Sequence, residues 1–298
     1  MSARCQILAE LYDEARPRLV GVAYAILGSY AEAEDIVSEC WMRLVEADAG
    51  QPVLDVEGWS IVAVSRAAID VLRSAHHRRE SYPGSWLPEP VVDAADPDPA
   101  DRVTLDDRLR YALLVVLESL SPAERTAWVL HDLFELTFAD VARVVGRSPA
   151  AVRQLAARAR RHVAERAPRF DIAPAEHRAV VERFLAAATG GSLADLVRYL
   201  DPDVVLTSDG GGEVSAVRRP VVGADRVARF LVGIAGRVRP DERVVVVSVN
   251  GAPGLAVFRA AALTDVIALT VSGGLVSRVD FVRAPAKLER AWRSGAAS

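Results

Sequence analysis

The chain has 298 residues, about half of them hydrophobic, and a formal net charge of −4. That length suits two or three small domains, and the mildly acidic balance excludes a uniformly basic coat while leaving room for local basic faces. Its two cysteines, Cys5 and Cys40, lack metal-ligand spacing, the N-terminus shows no apolar signal segment, and no run is apolar enough for a membrane span. A reduced cytoplasmic protein without membrane contact is therefore expected.

Residues 9–80 read as three helices. Leu8, Leu11, Leu19, Val22, Ala23 and Ile26 form the first stripe, which Gly28 ends. Ile36, Val37, Cys40, Trp41 and Leu44 form the second. The third starts near Asp55 and Glu57 and finishes with Arg73, Arg78 and Arg79, matching the helix dipole. Prolines 83, 88, 90, 97 and 99 break the pattern over 81–104, a span whose second half, with Glu89, Asp93, Asp96, Asp98 and Asp101, reads as an acidic connector. Inside it, "GSWLPEPVV" sets two large apolar side chains, Trp86 and Leu87, in a strip that proline keeps extended. Such a strip is either covered by something or docks on something.

Helices resume over 105–166. Ser121, Pro122 and Glu124 make a capping box, and Thr137 with Asp140 repeats the device. Gly146 stops one helix, and Ser148 with Pro149 starts the next. After Pro168 come two amphipathic helices split by Gly190 and Gly191, then six runs rich in Val, Ile and Thr, interrupted by one helix over 223–236. Helices followed by an antiparallel meander imply an α+β unit.

The strongest chemical signal is a helix-turn-helix over 137–163. Its second helix buries Val152, Leu155, Ala156, Ala159 and Val163, with Arg153, Gln154, Arg158, Arg160 and Arg161 on or beside the opposite face. A helix with that charge bias fits a DNA major groove, where Arg forks to guanine and Gln to adenine. A second basic set, Arg66, Arg73, Arg78 and Arg79 with His76 and His77, follows Trp59 on one helix and suits single-stranded or distorted DNA. The plain alternative is a helix end complementing its dipole. Glu32, Glu34, Asp35 and Glu39 form an acidic face that would repel DNA and suit a basic protein partner. The extension has one histidine, His177, and carboxylates at 201, 203, 209 and 280 without dyad spacing. No catalytic residue, metal set or cofactor motif is visible, so neither enzymatic activity nor a cofactor is expected.

"RPRLVGVAYAILGSYAEAEDIVSECWMRL" resembles the core-binding region of the extracytoplasmic-function sigma factors of bacterial RNA polymerase. "GWSIVAVSRAAIDVLRSAHHRRE" resembles their promoter-melting helix, and "LESLSPAERTAWVLHDLFELTFADVARVVGRSPAAVRQLAARARRHV" their helix-turn-helix domain. "WLPEP" at 86–90 and "DGGG" at 209–212 resemble motifs of the subgroup with a C-terminal SnoaL-like domain. The resemblance implies a multidomain fold: sigma domain 2 over 1–80, a linker over 81–104, sigma domain 4 over 105–167, a short linker over 168–175, and a SnoaL-like cone over 176–298. It assigns Glu34, Asp35 and Trp41 to the polymerase surface. It puts Arg66, Arg73, Arg78 and Arg79 near the −10 element, and Arg147, Ser148, Arg153, Gln154 and Arg158 at the −35 element.

The implied function is a sigma factor that takes RNA polymerase core to promoter DNA, monomeric when free, with its C-terminal domain regulating it in cis. Trp86, Leu87, Pro88, Glu89 and Pro90 would dock on Asp209, Gly210, Gly211 and Gly212, with Trp86 and Leu87 in an apolar pocket and Glu89 at its rim. A SnoaL-like cone also leaves room for a small-molecule ligand. The alternative is a ligand-responsive repressor, or a pocket enzyme fused to a helix-turn-helix, which would bind an operator unaided, usually as a dimer.

Overall fold

The computed structural model describes residues 3–80, 82, 84–94, 109–166, 172–237 and 239–292, without the side chains of residues 3 and 75–80. Expectations for the side chains of Arg78 and Arg79, and for Asp96, Asp98 and Asp101, fall outside the described residues. The chain divides into two compact units: 1–81 with 104–109 and 114–166, and 82–103 with 110–113 and 167–298.

Unit 1 is helical. Helices α1 (Ala3–Leu27), α2 (Tyr30–Gly50) and α3 (Val56–Glu80) pack together around Leu19, Val22, Ala23, Ile26 and Leu44, all fully buried. Leu11, expected on that stripe, is 42% exposed. Between α1 and α2, Gly28 takes φ +73°, which a side chain would resist, and Ser29 caps α2 through the amide of Glu32. Helix α4 spans Tyr111–Leu117. Helix α5 (Pro122–Trp128) has the expected capping box and continues into a π-helical turn, Val129–Leu133, that sequence periodicity does not announce. Helix α6 (Phe138–Val145) is capped by Thr137 and ends at Gly146 in the left-handed region, followed by α7 (Pro149–Arg166).

Unit 2 places α8 (Pro174–Thr189), α9 (Leu193–Arg198) and α10 (Ala224–Ala235) against one seven-stranded sheet, with α11 (Pro285–Leu288) after the last strand. The strands are β1 (Val92–Ala94), β2 (Leu200–Asp209), β3 (Val221–Val222), β4 (Glu242–Val249), β5 (Ala252–Arg259), β6 (Ala262–Ser272) and β7 (Leu275–Val282), in the order β1-β4-β5-β6-β7-β2-β3. Strands β4 to β7 form the expected antiparallel meander, and Asn250 and Gly251, both at positive φ, make the β4–β5 hairpin turn. Two pairings depart from that expectation. Strand β2 is parallel to β7, because the chain between them runs through β3, α10 and the whole β4–β6 meander, so that no hairpin joins these two neighbours. And β1, from the span read as an acidic connector, joins the sheet edge antiparallel to β4, pairing Val92 with Val249. Asp93 is only 7% exposed. The core lies between the helices and one sheet face, around Val181, Phe184, Leu206, Leu231, Leu255 and Phe281.

Candidate functional site

In unit 1, α7 presents one open face. Val152, Leu155, Ala156, Ala159 and Val163 are buried, and Arg153, Gln154, Ala157 and Arg161 are exposed at spacings of three and four, with Arg147 and Ser148 exposed at its start. Ser148 receives the amide of Ala151 at 3.3 Å, so it also caps the helix. The guanidinium of Arg153 sits 5.2 Å from the ring centre of Phe138, which stacks on His131. Arg158 and Arg160 lie at the flanks and are engaged within the protein. Arg158 bonds Glu124 at 2.7 Å, and Arg160 pairs with Asp132. The open face is thus narrower than the arginine count suggests.

On α3, Arg66, Asp70 and Arg73 share an exposed stripe, with Arg73 3.6 Å from Asp70. Arg66 lines a hollow of about 760 Å3 with Trp59, Val62, Leu136, Asp140 and Arg143. Arg66 also donates to the carbonyl of Arg143 at 2.8 Å. So α6, the first helix of the helix-turn-helix, borders the hollow that α3 forms. On α2, Asp35 and Glu39 are exposed, Glu32 and Glu34 half-buried, and Trp41 packs 5.5 Å from Tyr12. The acids Glu32, Glu34, Asp35 and Glu39 thus lie on α2 and the bases Arg66 and Arg73 on α3, although Asp70 interrupts the basic stripe and Arg43 pairs with Glu39 on α2 at 3.9 Å.

One buried arginine joins the two halves of unit 1. Arg125 of α5 is 1% exposed, donates through Nε to the carbonyl of Ala25 in α1 at 2.9 Å, and pairs with Glu118 at 2.5 Å. Nothing in its local sequence distinguishes it from the surface arginines.

In unit 2 the "WLPEP" strip meets the "DGGG" loop around one carboxylate. Asp209, at the end of β2, accepts from the Tyr82 hydroxyl at 2.5 Å, the Leu87 amide at 2.9 Å, the Gly211 amide at 3.0 Å and Lys287 Nζ at 2.6 Å. Lys287 also donates to the carbonyl of Leu87 and lies 3.2 Å from the ring centre of Trp86, which Tyr82 meets edge-on. Burial, reinforced by Asp209, pushes the Tyr82 hydroxyl above its ordinary pKa. Gly211 and Gly212 take φ +71° and +79°, and a Cβ on Gly210 would stand 2.2 Å from the carbonyl oxygen of Val214. Gly211 and Gly212 are thus favoured by their backbone angle, and Gly210 by the lack of room for a side chain.

Two expectations for this strip are corrected. Leu87 is the buried anchor, at 1% exposure, whereas Trp86 is half-buried over an ammonium instead of filling an apolar pocket. Glu89 does not sit at a rim; it is 4% exposed. Pro88 and Pro90 have no amide to donate, so the chain ladders on only after them. Val91 donates to Asn250 Oδ1 at 3.1 Å and accepts from its amide at 2.8 Å, and Val92 donates to Ala291 at 2.9 Å. Tyr111 bonds the Pro88 carbonyl at 2.8 Å. Tyr82, Lys287, Asn250 and Tyr111 escaped the sequence reading. The one available signal was that Lys287 is the single lysine of the chain.

The opposite, helix-covered face of the sheet encloses a cavity of about 500 Å3 lined by Phe184, Phe230, Leu255, Ile267 and Phe281, with arginines and carboxylates among its walls. Of the carboxylates in the extension, Asp280 is fully buried against Arg278 at 2.7 Å, and burial raises its pKa despite that partner. His177 is 5% exposed, contacts the Leu269 carbonyl at 3.1 Å, and is lowered in pKa by burial. No dyad of these groups is brought together. Among the described residues no helix is long and apolar enough to cross a membrane.

Residues 11–78 match the family model for sigma-70 region 2, and residues 110–163 that for sigma-70 region 4. The chain is 40% identical over 304 residues to the ECF RNA polymerase sigma factor SigJ of Mycobacterium tuberculosis (strain ATCC 25618 / H37Rv), covering 95% of this chain and 96% of that one. The chain belongs to the extracytoplasmic-function sigma factors. It is also 37% identical over 277 residues to a probable ECF RNA polymerase sigma factor, SigI, of M. tuberculosis (strain CDC 1551 / Oshkosh), covering 92% of each chain. The crystal structure of the M. tuberculosis SigJ matches with a TM-score of 0.77 at 37% identity, over 94% of this sigma factor and 98% of that chain. That match runs along nearly the whole length of both chains, through the helical sigma regions and the α+β unit alike.

Proposed function

We propose that this sigma factor directs RNA polymerase core to its promoters with unit 1 and is regulated in cis by unit 2. Glu32, Glu34, Asp35, Glu39 and Trp41 meet the polymerase. The α3 hollow with Trp59, Arg66 and Arg73, followed by Arg78 and Arg79, takes the −10 element. Arg147, Ser148, Arg153, Gln154 and Arg161 meet the −35 element, with Arg158 and Arg160 at the flanks. The boundaries that go with this reading are 1–80 and 105–167 for the two sigma modules and 176–298 for the regulatory domain, with 81–104 and 168–175 as linkers. The protein works in the cytoplasm as a monomer, by binding and not by catalysis, and unit 2 has room for a small-molecule ligand.

The observation that carries the regulatory part is the Asp209–Lys287 pair, which clamps the segment joining the two sigma modules. A segment clamped at one end has less reach, and the modules must span two promoter elements. Run-off transcription with core polymerase tests this. Trp86→Ala and Gly211→Val should each change transcript yield, and the double variant should do little more than either alone, since both act on one contact. Fully additive effects, or a 1–167 fragment as active as the full chain, would remove unit 2 from the mechanism. Tight operator binding by the free protein would favour a repressor instead.

A further inference from the structure

The cavity of unit 2 has the size of a small-molecule site and a mostly apolar wall. Its charged lining is uneven. Arg237, Arg239, Arg259 and Arg283 face two carboxylates, Glu242 and Asp265. Both carboxylates are already engaged, Glu242 with Arg259 at 2.5 Å and Asp265 with Arg283 at 2.5 Å. The surplus charge at the cavity is positive, which favours an anion over a neutral or cationic guest.

Arg283 is the cation best placed to report occupancy. Its Nε holds Asp265 and its Nη1 holds the Ser215 carbonyl at 2.6 Å, which leaves Nη2 without an acceptor among the described residues. Its backbone amide donates to the carbonyl of Asp209 at 2.8 Å. Ser215 and Asp209 are the two ends of the glycine loop. One cavity-wall residue therefore braces both ends of the loop, and Asp209 is the carboxylate that holds the linker.

We propose that this cavity binds one small amphipathic carboxylate, its apolar body among Phe230, Ile267 and Phe281 and its carboxylate on Arg283, and that occupancy changes the hold of the glycine loop on the linker. The incoming carboxylate takes the open Nη2 and shares one guanidinium with Asp265 and Ser215, so binding and loop bracing are linked, and the linkage is reciprocal. The regulatory half rests on the cis reading above; the binding half does not.

Calorimetric titration of the full-length protein with decanoate, decan-1-ol and decylamine at neutral pH tests the ligand class. Decanoate should bind at one site per chain, at least tenfold tighter than the alcohol or the amine. Arg283→Gln should bring decanoate to within about threefold of decan-1-ol, and Ile267→Trp, which fills the cavity, should abolish binding while unfolding stays cooperative. Hydrogen exchange at residues 86–92 should change at least threefold with decanoate in the wild type and not in Arg283→Gln. Equal or tighter binding of the alcohol or amine, no decanoate binding below millimolar, or undiminished binding by folded Ile267→Trp overturns the site. Unchanged exchange at 86–92 in the decanoate complex overturns the coupling. Transcription by Trp86→Ala tests cis regulation without any ligand, so the two readings fail separately.

Discussion

Two buried ion pairs fasten distant segments of this sigma factor, and they are built differently. In unit 2, Lys287 pairs with Asp209, whose carboxylate receives four donors and is itself fully buried. In unit 1, Arg125 pairs with Glu118, whose side chain keeps 13% exposure, and Arg125 Nη2 has no partner among the described residues. Each cation also bonds a backbone carbonyl from another segment, Leu87 in one case and Ala25 in the other. A fully satisfied network in a low dielectric is costly to open, and a partly satisfied one less so. The joint between α1 and α5 therefore has the character of a hinge, and the linker clamp that of an anchor.

The largest expected effect is at the anchor. Asp209→Ala leaves Lys287 buried without a counter-charge and should lower the stability of unit 2 by about 3–5 kcal/mol. Urea denaturation reads it, and an unchanged midpoint would show that water already shares the site. Arg125→Ala should cost less, about 2–4 kcal/mol, because Glu118 regains water. Spin labels at Asp13 and Ala157, both exposed, should show a broader distance distribution in that variant. A distribution as narrow as the wild type's would erase the contrast between hinge and anchor.

Smaller effects concern what an opened unit 1 does. Arg153→Ala or Gln154→Ala should each remove roughly 1–3 kcal/mol of discrimination between matched and mismatched −35 sequences. Arg160→Ala should lower binding to both alike, since its group sits at the flank with Asp132. Promoter competition with the polymerase holoenzyme separates the two outcomes, and equal losses for Arg153→Ala would reject the base contact.

The smallest effect is a pH dependence that singles out unit 2. His177 has a lowered pKa in the fold, so the folded state favours the neutral ring. Its contribution to stability is complete above the unfolded value of about 6.5 and is lost as pH falls through the folded value. Thermal unfolding of unit 2 should therefore drop on going from neutral pH to pH 5.5, and His177→Gln should flatten that slope. An identical slope in the variant would assign the dependence elsewhere.

Local chemistry by itself determined much of this protein. Apolar period, the Ser121 and Thr137 caps and Gly146 are decided within a few residues of chain, and so is the charge on each helix face. Those features were legible because helix stripes, caps and hairpins obey short-range rules. The parallel β2–β7 pair, the strand made from Val92–Ala94 and the burial of Glu89 were not, because they depend on segments far along the chain, as in the pairing of Val205 with Arg278 and of Val92 with Val249. The same holds for Arg125 and Lys287. Along the chain they are ordinary cations, and only the packed structure removes water from them and puts a carboxylate and a carbonyl within reach. Burial is a property of the assembled fold, so the two joints that hold this sigma factor together could be decided only there.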